Sequence, residues 1–164
     1  MIRIPLTGGR VAIIDDADAH LAAHRWRAWH PKHACPDRWY AVRTRSRTDG
    51  DEMVFLHREV LYVPDGMEVD HVDRDGLNCR RDNLRAATHA QNLHNRGRQK
   101  NSRSGLKGVH WARRERKWVA QIAVNGRRVF LGYHATAEEA ARAYDAMAKD
   151  LHGEFAHLNF PEWR

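Results

Sequence analysis

The sequence predicts an α+β protein with two successive units, a β-rich unit followed by a three-stranded sheet with one helix. Short apolar runs separated by turn residues fill the first half, and an amphipathic helix follows three strand patterns near the C-terminus. A basic stretch without apolar residues separates the two patterns. The 164 residues are enough for one average domain or two small ones.

Short strand patterns predict a β-rich N-terminal lobe. Apolar runs at 2–6 and 10–14 flank Gly8-Gly9, a dipeptide that suits a two-residue hairpin turn. Asp15-Asp16 favours the start of a short helix over 17–24, because its carboxylates can cap free backbone N–H groups. The further strand, turn and apolar patterns of this lobe are 39–44, 48–51 and 53–63.

A strand, a loop, a second strand and a helix are expected next. The first strand covers 67–71 and ends at Asp70-His71, and a polar loop separates it from a short strand at 83–85. Thr88-x-x-Gln91 has the form of a capping box, in which each side chain bonds the other residue's backbone N–H. The polar residues of this region concentrate where the expected elements meet.

The last third of the chain has a different pattern. Residues 97–104, GRQKNSRS, contain no apolar side chain and predict a flexible basic linker. Strands are expected at 108–112, 118–124 and 128–132, with Asn125-Gly126 as the hairpin turn between the last two.

One amphipathic helix follows these strands. Thr136-x-x-Glu139 is a second capping box, and the helix is expected to run to about Leu151 and to stop at Gly153. Apolar residues recur at helical spacing, so one face is expected to pack on the sheet. The residues expected on that face are Ala140, Ala143, Tyr144, Met147 and Leu151.

Positive charge is concentrated in one segment. The net charge is +7, and residues 97–128 hold ten Lys and Arg against one acidic residue, Glu115. A charge excess confined to one segment is typical of a surface that binds a polyanion. Trp111 and Trp118 within this segment favour a folded binding surface over a disordered tail.

Several classes of protein do not fit this composition. No apolar run approaches the ~18–20 residues of a membrane span, and the N-terminus turns acidic at Asp15, so we expect neither a membrane protein nor a signal peptide. Cys35 and Cys79 form no C-x-x-C pair, so no structural zinc is expected. Two free cysteines are typical of a reducing cytoplasm.

Four residues form a candidate site for phosphodiester cleavage. That reaction needs a deprotonated water and neutralisation of charge on the phosphate and the leaving oxygen, and a divalent metal ion meets the second need. Asp70 offers a carboxylate and Asn92 a carbonyl oxygen, ligands that suit a hard ion such as Mg²⁺ or Mn²⁺. His71 can accept a proton near neutral pH, and Asn83 can hold its imidazole in one tautomer.

Two points of this assignment stay open. Adjacent strand residues point to opposite sides, so Asp70 and His71 share one site only if the strand bends or ends there. His89, His94 and Asn95 lie close in sequence and compete for the ligand role.

The segment 68–96, EVDHVDRDGLNCRRDNLRAATHAQNLHNR, resembles the HNH endonuclease motif of phage and intron-encoded homing endonucleases. The resemblance implies an endonuclease domain over 1–96, with a ββα-metal (His-Me finger) core at about 53–96. His57 lies in a segment that resembles the family's lead-in, and we interpret it as structural or in contact with substrate. The third motif position holds Asn92 where the family name expects His, a variant that also occurs in the family.

The same resemblance implies a role for each candidate residue. His71 is implied as the general base and Asn83 as the residue that orients it. Asp70 and Asn92 are implied as ligands of one divalent metal ion, Mg²⁺ or Mn²⁺.

Alternation along the middle C-terminal strand predicts two faces. If the helix packs on Ile122, then Lys117 and Gln121 face outward, where a twisted antiparallel ribbon fits the major groove of DNA. Trp118, Ala120 and Ile122 share one face, and Lys117, Val119, Gln121 and Ala123 share the other.

The strings SGLKGVHW, KWVAQI, RVFLGYH, TAEEAARAYD and LNF resemble the AP2 DNA-binding domain over 104–161, after a basic linker at 97–103. The resemblance implies that the sheet lies in the major groove with the helix behind it. Trp118 is open between the core and the DNA surface. The residues expected to contact DNA are Arg113, Arg114, Arg116, Lys117, Trp118, Gln121, Arg127 and Arg128.

The leading hypothesis is a metal-dependent homing-type endonuclease that nicks double-stranded DNA and is positioned by an AP2 module. We expect a monomer, encoded by a phage or another mobile element, in the cytoplasm of a bacterial host. The rival hypothesis is a DNA-binding transcriptional regulator with an inactive HNH region. An RNA-binding protein is disfavoured, because aromatic platform motifs are missing from the sequence.

Overall fold

Antiparallel hairpins build most of the chain. The computed structural model describes residues 1–32, 38–48, 50–98, 102–124 and 126–161. The chain divides into two units, Met1–Asn92 and Leu93–Arg164. The predicted domain ranges 1–96, 97–103 and 104–161 stay predictions. Among the described residues, no helix is long and apolar enough to cross a membrane.

The N-terminal hairpin pairs strand β1 (Ile2–Pro5) with strand β2 (Val11–Ile14). Its connection is longer than the predicted two-residue turn, because Thr7–Gly9 forms a turn of 3-10 helix between the strands. Gly8 and Gly9 adopt φ angles of 72° and 71°, which glycine tolerates because it has no Cβ. The helix expected over 17–24 is a 3-10 helix at Asp16–Ala23.

A three-stranded sheet follows, with strands β3 (Arg27–Trp29), β4 (Tyr40–Arg47) and β5 (Gly50–Phe55) in that order. A short helix, α1 (Leu56–Val60), begins directly after β5. The apolar stretch predicted at 53–63 is therefore the end of a strand and the helix behind it. Cys35 and the turn residue Asp49 lie outside the described residues.

The predicted order of strand, loop, strand and helix is confirmed in the next segment. Strand β6 (Glu68–His71) pairs antiparallel with strand β7 (Leu84–Ala87), and helix α2 (His89–His94) follows. The Thr88 N–H donates to Gln91 Oε1 at 2.8 Å, and the Gln91 N–H donates to Thr88 Oγ1 at 3.2 Å. This reciprocal pair is the predicted capping box.

The loop between β6 and β7 packs on the N-terminal hairpin. The Ile13 N–H donates to the Leu77 carbonyl at 2.9 Å, and the Cys79 N–H donates to the Ile13 carbonyl at 2.8 Å. Cys79 is fully buried and belongs to the same apolar core as Ile14 and Leu84. Burial raises the pKa of the Cys79 thiol to about 12.

The second unit is a three-stranded sheet covered by one helix. Strands β8 (Val109–Ala112), β9 (Lys117–Val124) and β10 (Arg127–His134) lie in the order β10-β9-β8, and helix α3 (Ala137–His152) packs on them. The Thr136 capping box is present, and α3 ends at Gly153, both as predicted. Asn125, predicted in the turn between β9 and β10, lies outside the described residues.

The buried face of α3 is rotated from the predicted one. Ala140 and Tyr144 are buried as expected, Ala143 and Met147 are half-buried, and Leu151 is 46% exposed. The Asp145 carboxylate tolerates burial because it accepts hydrogen bonds from the chain after the helix. These come from the Asn159 N–H and the Phe160 N–H, each at 2.8 Å. The other buried residues of α3 are Ala141, Asp145 and Ala148.

The packing of this loop predicts that the Cys79 thiol is unreactive in the folded protein. In a Cys35→Ser, Ser46→Cys variant, we expect iodoacetamide at pH 8 to modify Cys79 at least about 100-fold more slowly than the exposed position 46. Peptide mass spectrometry reads both positions in the same molecules. Equally fast modification of Cys79 would contradict the described packing.

Candidate functional site

Two acidic side chains of β6 lie on the face of the hairpin that carries α2. Glu68 and Asp70 share this face because they are two residues apart on a strand. Glu68 Oε1 lies 2.7 Å from His89 Nδ1, and Glu68 Oε2 accepts a hydrogen bond from the Asn92 amide nitrogen. The predicted ligands Asp70 and Asn92 therefore lie on the same side of the hairpin, with Glu68 beside them.

The buried Asp70 carboxylate forms an ion pair across the hairpin with Arg85. The register places the two residues opposite each other, and Arg85 Nε and Nη2 lie 2.9 and 2.8 Å from Asp70 Oδ2. Only 4% of the Asp70 side chain and 14% of the Arg85 side chain are exposed. The pair offsets the cost of burying a carboxylate and fixes its orientation. Neither Glu68 nor Arg85 is among the predicted site residues.

His71 points to the other side of β6. Its ring centroid lies 5.1 Å from that of His57 and 6.0 Å from that of Tyr40. Burial lowers the pKa of His71 below its usual value, although the carboxylates of Asp73 and Asp70 act in the opposite direction. The imidazole is therefore uncharged near pH 7, the form that can accept a proton.

His57 belongs to an aromatic cluster behind His71. Its ring centroid lies 5.3 Å from that of Phe55 and 5.6 Å from that of Tyr40. Burial lowers the pKa of His57 to about 3, so this ring is uncharged. It packs at 88° to the His71 ring, which limits how that ring can turn. These contacts agree with a structural role for His57.

Asn83 organises the loop that follows His71. Its Oδ1 accepts a hydrogen bond from the Asp73 N–H at 3.0 Å, and its Nδ2 donates to Asp73 Oδ1 at 2.9 Å and to the Asn78 carbonyl at 2.8 Å. Its backbone carbonyl accepts from the Val72 N–H at 2.9 Å. Asn83 thus fixes the chain directly after the candidate base. The predicted bond from Asn83 to the imidazole stays a prediction.

The donor chemistry of this site suits a hard metal ion. Asp70 and Asn92, with Glu68 beside them, offer carboxylate and amide oxygens, the ligands that Mg²⁺ and Mn²⁺ prefer. Within the described residues, no group of three or more His, Cys, Asp and Glu could hold a metal ion. A site here therefore depends on the amide oxygen of Asn92 and on ligands from substrate or water.

The residues left open as competing ligands have other neighbours. His89 bonds Glu68, and Asn95 is 6% exposed. His94 belongs to the second unit, where its ring stacks on that of His152 with centroids 3.6 Å apart. Because Asn92 contacts the same Glu68 carboxylate as His89, these contacts do not decide among the candidate ligands, and the pair Asp70 and Asn92 stays a prediction.

The three-stranded sheet of the second unit has one covered face and one open face. Ala120 and Ile122 pack on the helix side, as the alternation along β9 predicts. Lys117 and Gln121 lie on the open face, where Lys117 is exposed and Gln121 half-buried. The exposed arginines are Arg113, Arg114 and Arg116 between β8 and β9, and Arg127 and Arg128 at the start of β10.

Trp118 lies on the helix side of the sheet and is half-buried, and its predicted contact with DNA stays a prediction. It packs against the cluster that contains Val109, Ala120 and Ala140, and its ring centroid lies 5.2 Å from that of Trp111. The cause is strand alternation, which places Trp118 on the same side as Ala120.

Two exposed aromatic side chains on the open face were not predicted from the sequence. Phe130 and Tyr133 are 56% and 48% exposed, and their ring centroids lie 5.0 Å apart. They are opposite Gln121 and Val119 of β9, and an irregular register between Phe130 and Gly132 brings both to one face. Strict alternation is the signal available in the sequence, and it predicts that residues three positions apart lie on opposite faces of the sheet.

Comparisons with known proteins agree with two separate functional units. Residues 61–94 match the HNH endonuclease family, and residues 104–154 match the AP2 domain. The chain is 33% identical over 96 residues to protein 3.8 of Escherichia phage T7, covering 58% of this chain and 78% of that protein. The chain therefore belongs to the HNH endonuclease family and carries an AP2 domain.

Other relatives match smaller parts of their own length. An uncharacterized HNH endonuclease of Acanthamoeba polyphaga mimivirus is 38% identical over 97 residues, 59% of this chain and 49% of that protein. Dehydration-responsive element-binding protein 2A of Arabidopsis thaliana is 45% identical over 71 residues, 40% of this chain and 20% of that protein. The chain thus spans about half of the viral protein and about a fifth of the plant protein.

The placement of Trp118 predicts a contrast between two aromatic substitutions. Trp118→Ala should lower the stability of the second unit by about 2–4 kcal/mol, because it removes a ring packed against the core. Phe130→Ala should change stability by less than about 1 kcal/mol, because its ring is mostly exposed. Chemical denaturation of both variants measures the difference. A larger loss of stability for Phe130→Ala than for Trp118→Ala would contradict the assignment of the two faces.

Proposed function

We propose that this protein is a metal-dependent endonuclease of the homing type that nicks double-stranded DNA. The observation that carries the proposal is that β6 ends at His71, which is the condition under which the adjacent residues Asp70 and His71 can serve one site. Asp70 would supply a buried carboxylate for a metal ion, and His71 an uncharged imidazole as the base. Membership of the HNH endonuclease family supports the same chemistry.

Asp70 and Asn92 are the proposed ligands of one divalent ion, Mg²⁺ or Mn²⁺. When bound, such an ion neutralises charge on the phosphate and stabilises the leaving oxygen. Arg85 orients the Asp70 carboxylate through its two contacts to Oδ2.

His71 is the proposed general base. Its buried ring is held uncharged and packed against His57, so it is ready to accept the proton of the attacking water. Asn83 is the proposed orienting residue, and its bonds to Asp73 and Asn78 support this by fixing the loop after the base.

The open face of the AP2 sheet is the proposed DNA-binding surface. Lys117 and Gln121 are placed to enter the major groove, and the exposed arginines at both ends of β9 are placed to contact phosphates. Trp118, which is half-buried against the core, stays a candidate contact. With one proposed active site per chain, we expect the protein to act as a monomer and to cut one strand of the DNA.

A phage relative supports the proposal that a phage or another mobile element encodes the protein, for use in the cytoplasm of a bacterial host. The second candidate function is a DNA-binding transcriptional regulator with an inactive HNH region. One observation favours it, because the Asp70–Arg85 ion pair already occupies an oxygen of the proposed metal ligand.

Substitution of the proposed base separates these functions. His71→Ala should reduce nicking of supercoiled plasmid in Mg²⁺ by at least about 100-fold, because the proton acceptor is lost. DNA affinity in a gel-shift assay should stay within about two-fold. His24→Ala, at an exposed histidine of the same unit, is the matched control. Equal nicking by His71→Ala and the control would remove His71 from the mechanism.

Charge substitution tests the DNA-binding surface. In the full chain, Arg113→Gln, Arg114→Gln and Arg116→Gln together should weaken DNA binding. They should also reduce the slope of log affinity against log salt concentration by about 0.9 for each phosphate that the variant no longer neutralises. Lys149→Gln, an exposed position on the helix α3, should leave the slope unchanged. A slope that is the same in the triple variant and the wild type would exclude these arginines.

A further inference from the structure

We propose that Glu68 is a positioning residue that turns the side-chain amide of Asn92, so that its oxygen is presented to the metal ion. The inference rests on the proposed function, because it concerns the same ligand set. It assigns a role to a residue that is not among the site residues predicted from the sequence.

Both oxygens of the Glu68 carboxylate are engaged. Oε1 lies 2.7 Å from His89 Nδ1, and Oε2 accepts a hydrogen bond from Asn92 Nδ2. The engagement of Glu68 with Asn92 and His89 favours a positioning role over direct metal binding.

An ionised carboxylate accepts hydrogen bonds and donates none. Glu68 can therefore bond only the nitrogen end of the Asn92 amide, which directs the oxygen end away from Glu68. If the amide turned over, two oxygens would face each other and two N–H donors would face the metal ion. One hydrogen bond thus determines whether Asn92 can be a ligand.

The strand geometry places this bond beside the proposed site. Asp70 is two residues beyond Glu68 on the same face of β6, and Asn92 is on the helix that contacts this face through Glu68. Groups that orient metal ligands commonly change metal affinity by 10–100-fold when removed. We therefore expect a Glu68 substitution to weaken metal binding without loss of a ligand.

Mn²⁺ binding to the full chain, measured by electron paramagnetic resonance without DNA, tests the inference. Glu68→Gln should weaken Mn²⁺ binding by about 10-fold, because glutamine can face Asn92 with either its oxygen or its nitrogen. Glu52→Gln removes the same charge from an exposed position and should have no effect.

The same substitution in an Asn92→Asp background distinguishes positioning from charge. Aspartate presents an oxygen to Glu68 in either orientation, so the two carboxylates repel each other, and Glu68→Gln should then leave Mn²⁺ affinity unchanged or raise it. An equal loss of Mn²⁺ affinity in both backgrounds would overturn the inference, because it would indicate that Glu68 is a direct ligand or acts through its charge. No loss of Mn²⁺ affinity in either background would also overturn it. Asp70→Asn tests the proposed function separately. Unchanged Mn²⁺ binding by this variant would show that Asp70 does not bind the metal ion.

A second readout requires no metal ion. Nuclear magnetic resonance of the amide protons of Asn92, assigned by their disappearance in Asn92→Asp, reports the hydrogen bond to Glu68. Glu68→Gln should move the bonded proton upfield. An unchanged resonance in a folded variant would contradict the inference.

Discussion

The backbone bonds between the β6–β7 loop and strand β2 are the constraint on which the first unit depends. Ile13 donates to Leu77 and accepts from Cys79, so a long polar loop is held through both backbone groups of one residue of β2. Asn83 then closes the loop internally through Asp73 and Asn78. Because this loop joins β6 to β7, its attachment holds the β6–β7 hairpin against the N-terminal hairpin. The N-terminal lobe thus acts as the support of the candidate site.

Strand alternation divides the chemistry of that site between two environments. On one side of β6, the carboxylates of Asp70 and Glu68 contact polar groups only. These groups are the Arg85 guanidinium, the His89 ring and the Asn92 amide. On the other side, His71 packs against aromatic rings, where burial keeps it uncharged. The proposed metal ligand Asp70 lies in the first environment, and the proposed general base His71 lies in the second.

Local signals in the sequence predicted local structure well. Both capping boxes, at Thr88 and Thr136, depend on residues three positions apart, and both are present. Features set by tertiary contacts were not predictable in this way. The ion pair of Asp70 with Arg85 depends on strand register, and the exposure of Leu151 depends on how α3 meets the sheet. Trp118 was ambiguous because both the core and a DNA surface accept tryptophan.

We propose that this chain breaks DNA strands by a metal-dependent reaction at one site. The most direct measurement is a time course of the purified protein with supercoiled DNA in Mg²⁺ and in excess chelator, with nicked and linear products separated on a gel. We expect nicked circles to accumulate well before linear DNA, and excess chelator to stop the reaction. Binding without any strand breakage in Mg²⁺ or Mn²⁺ would contradict it.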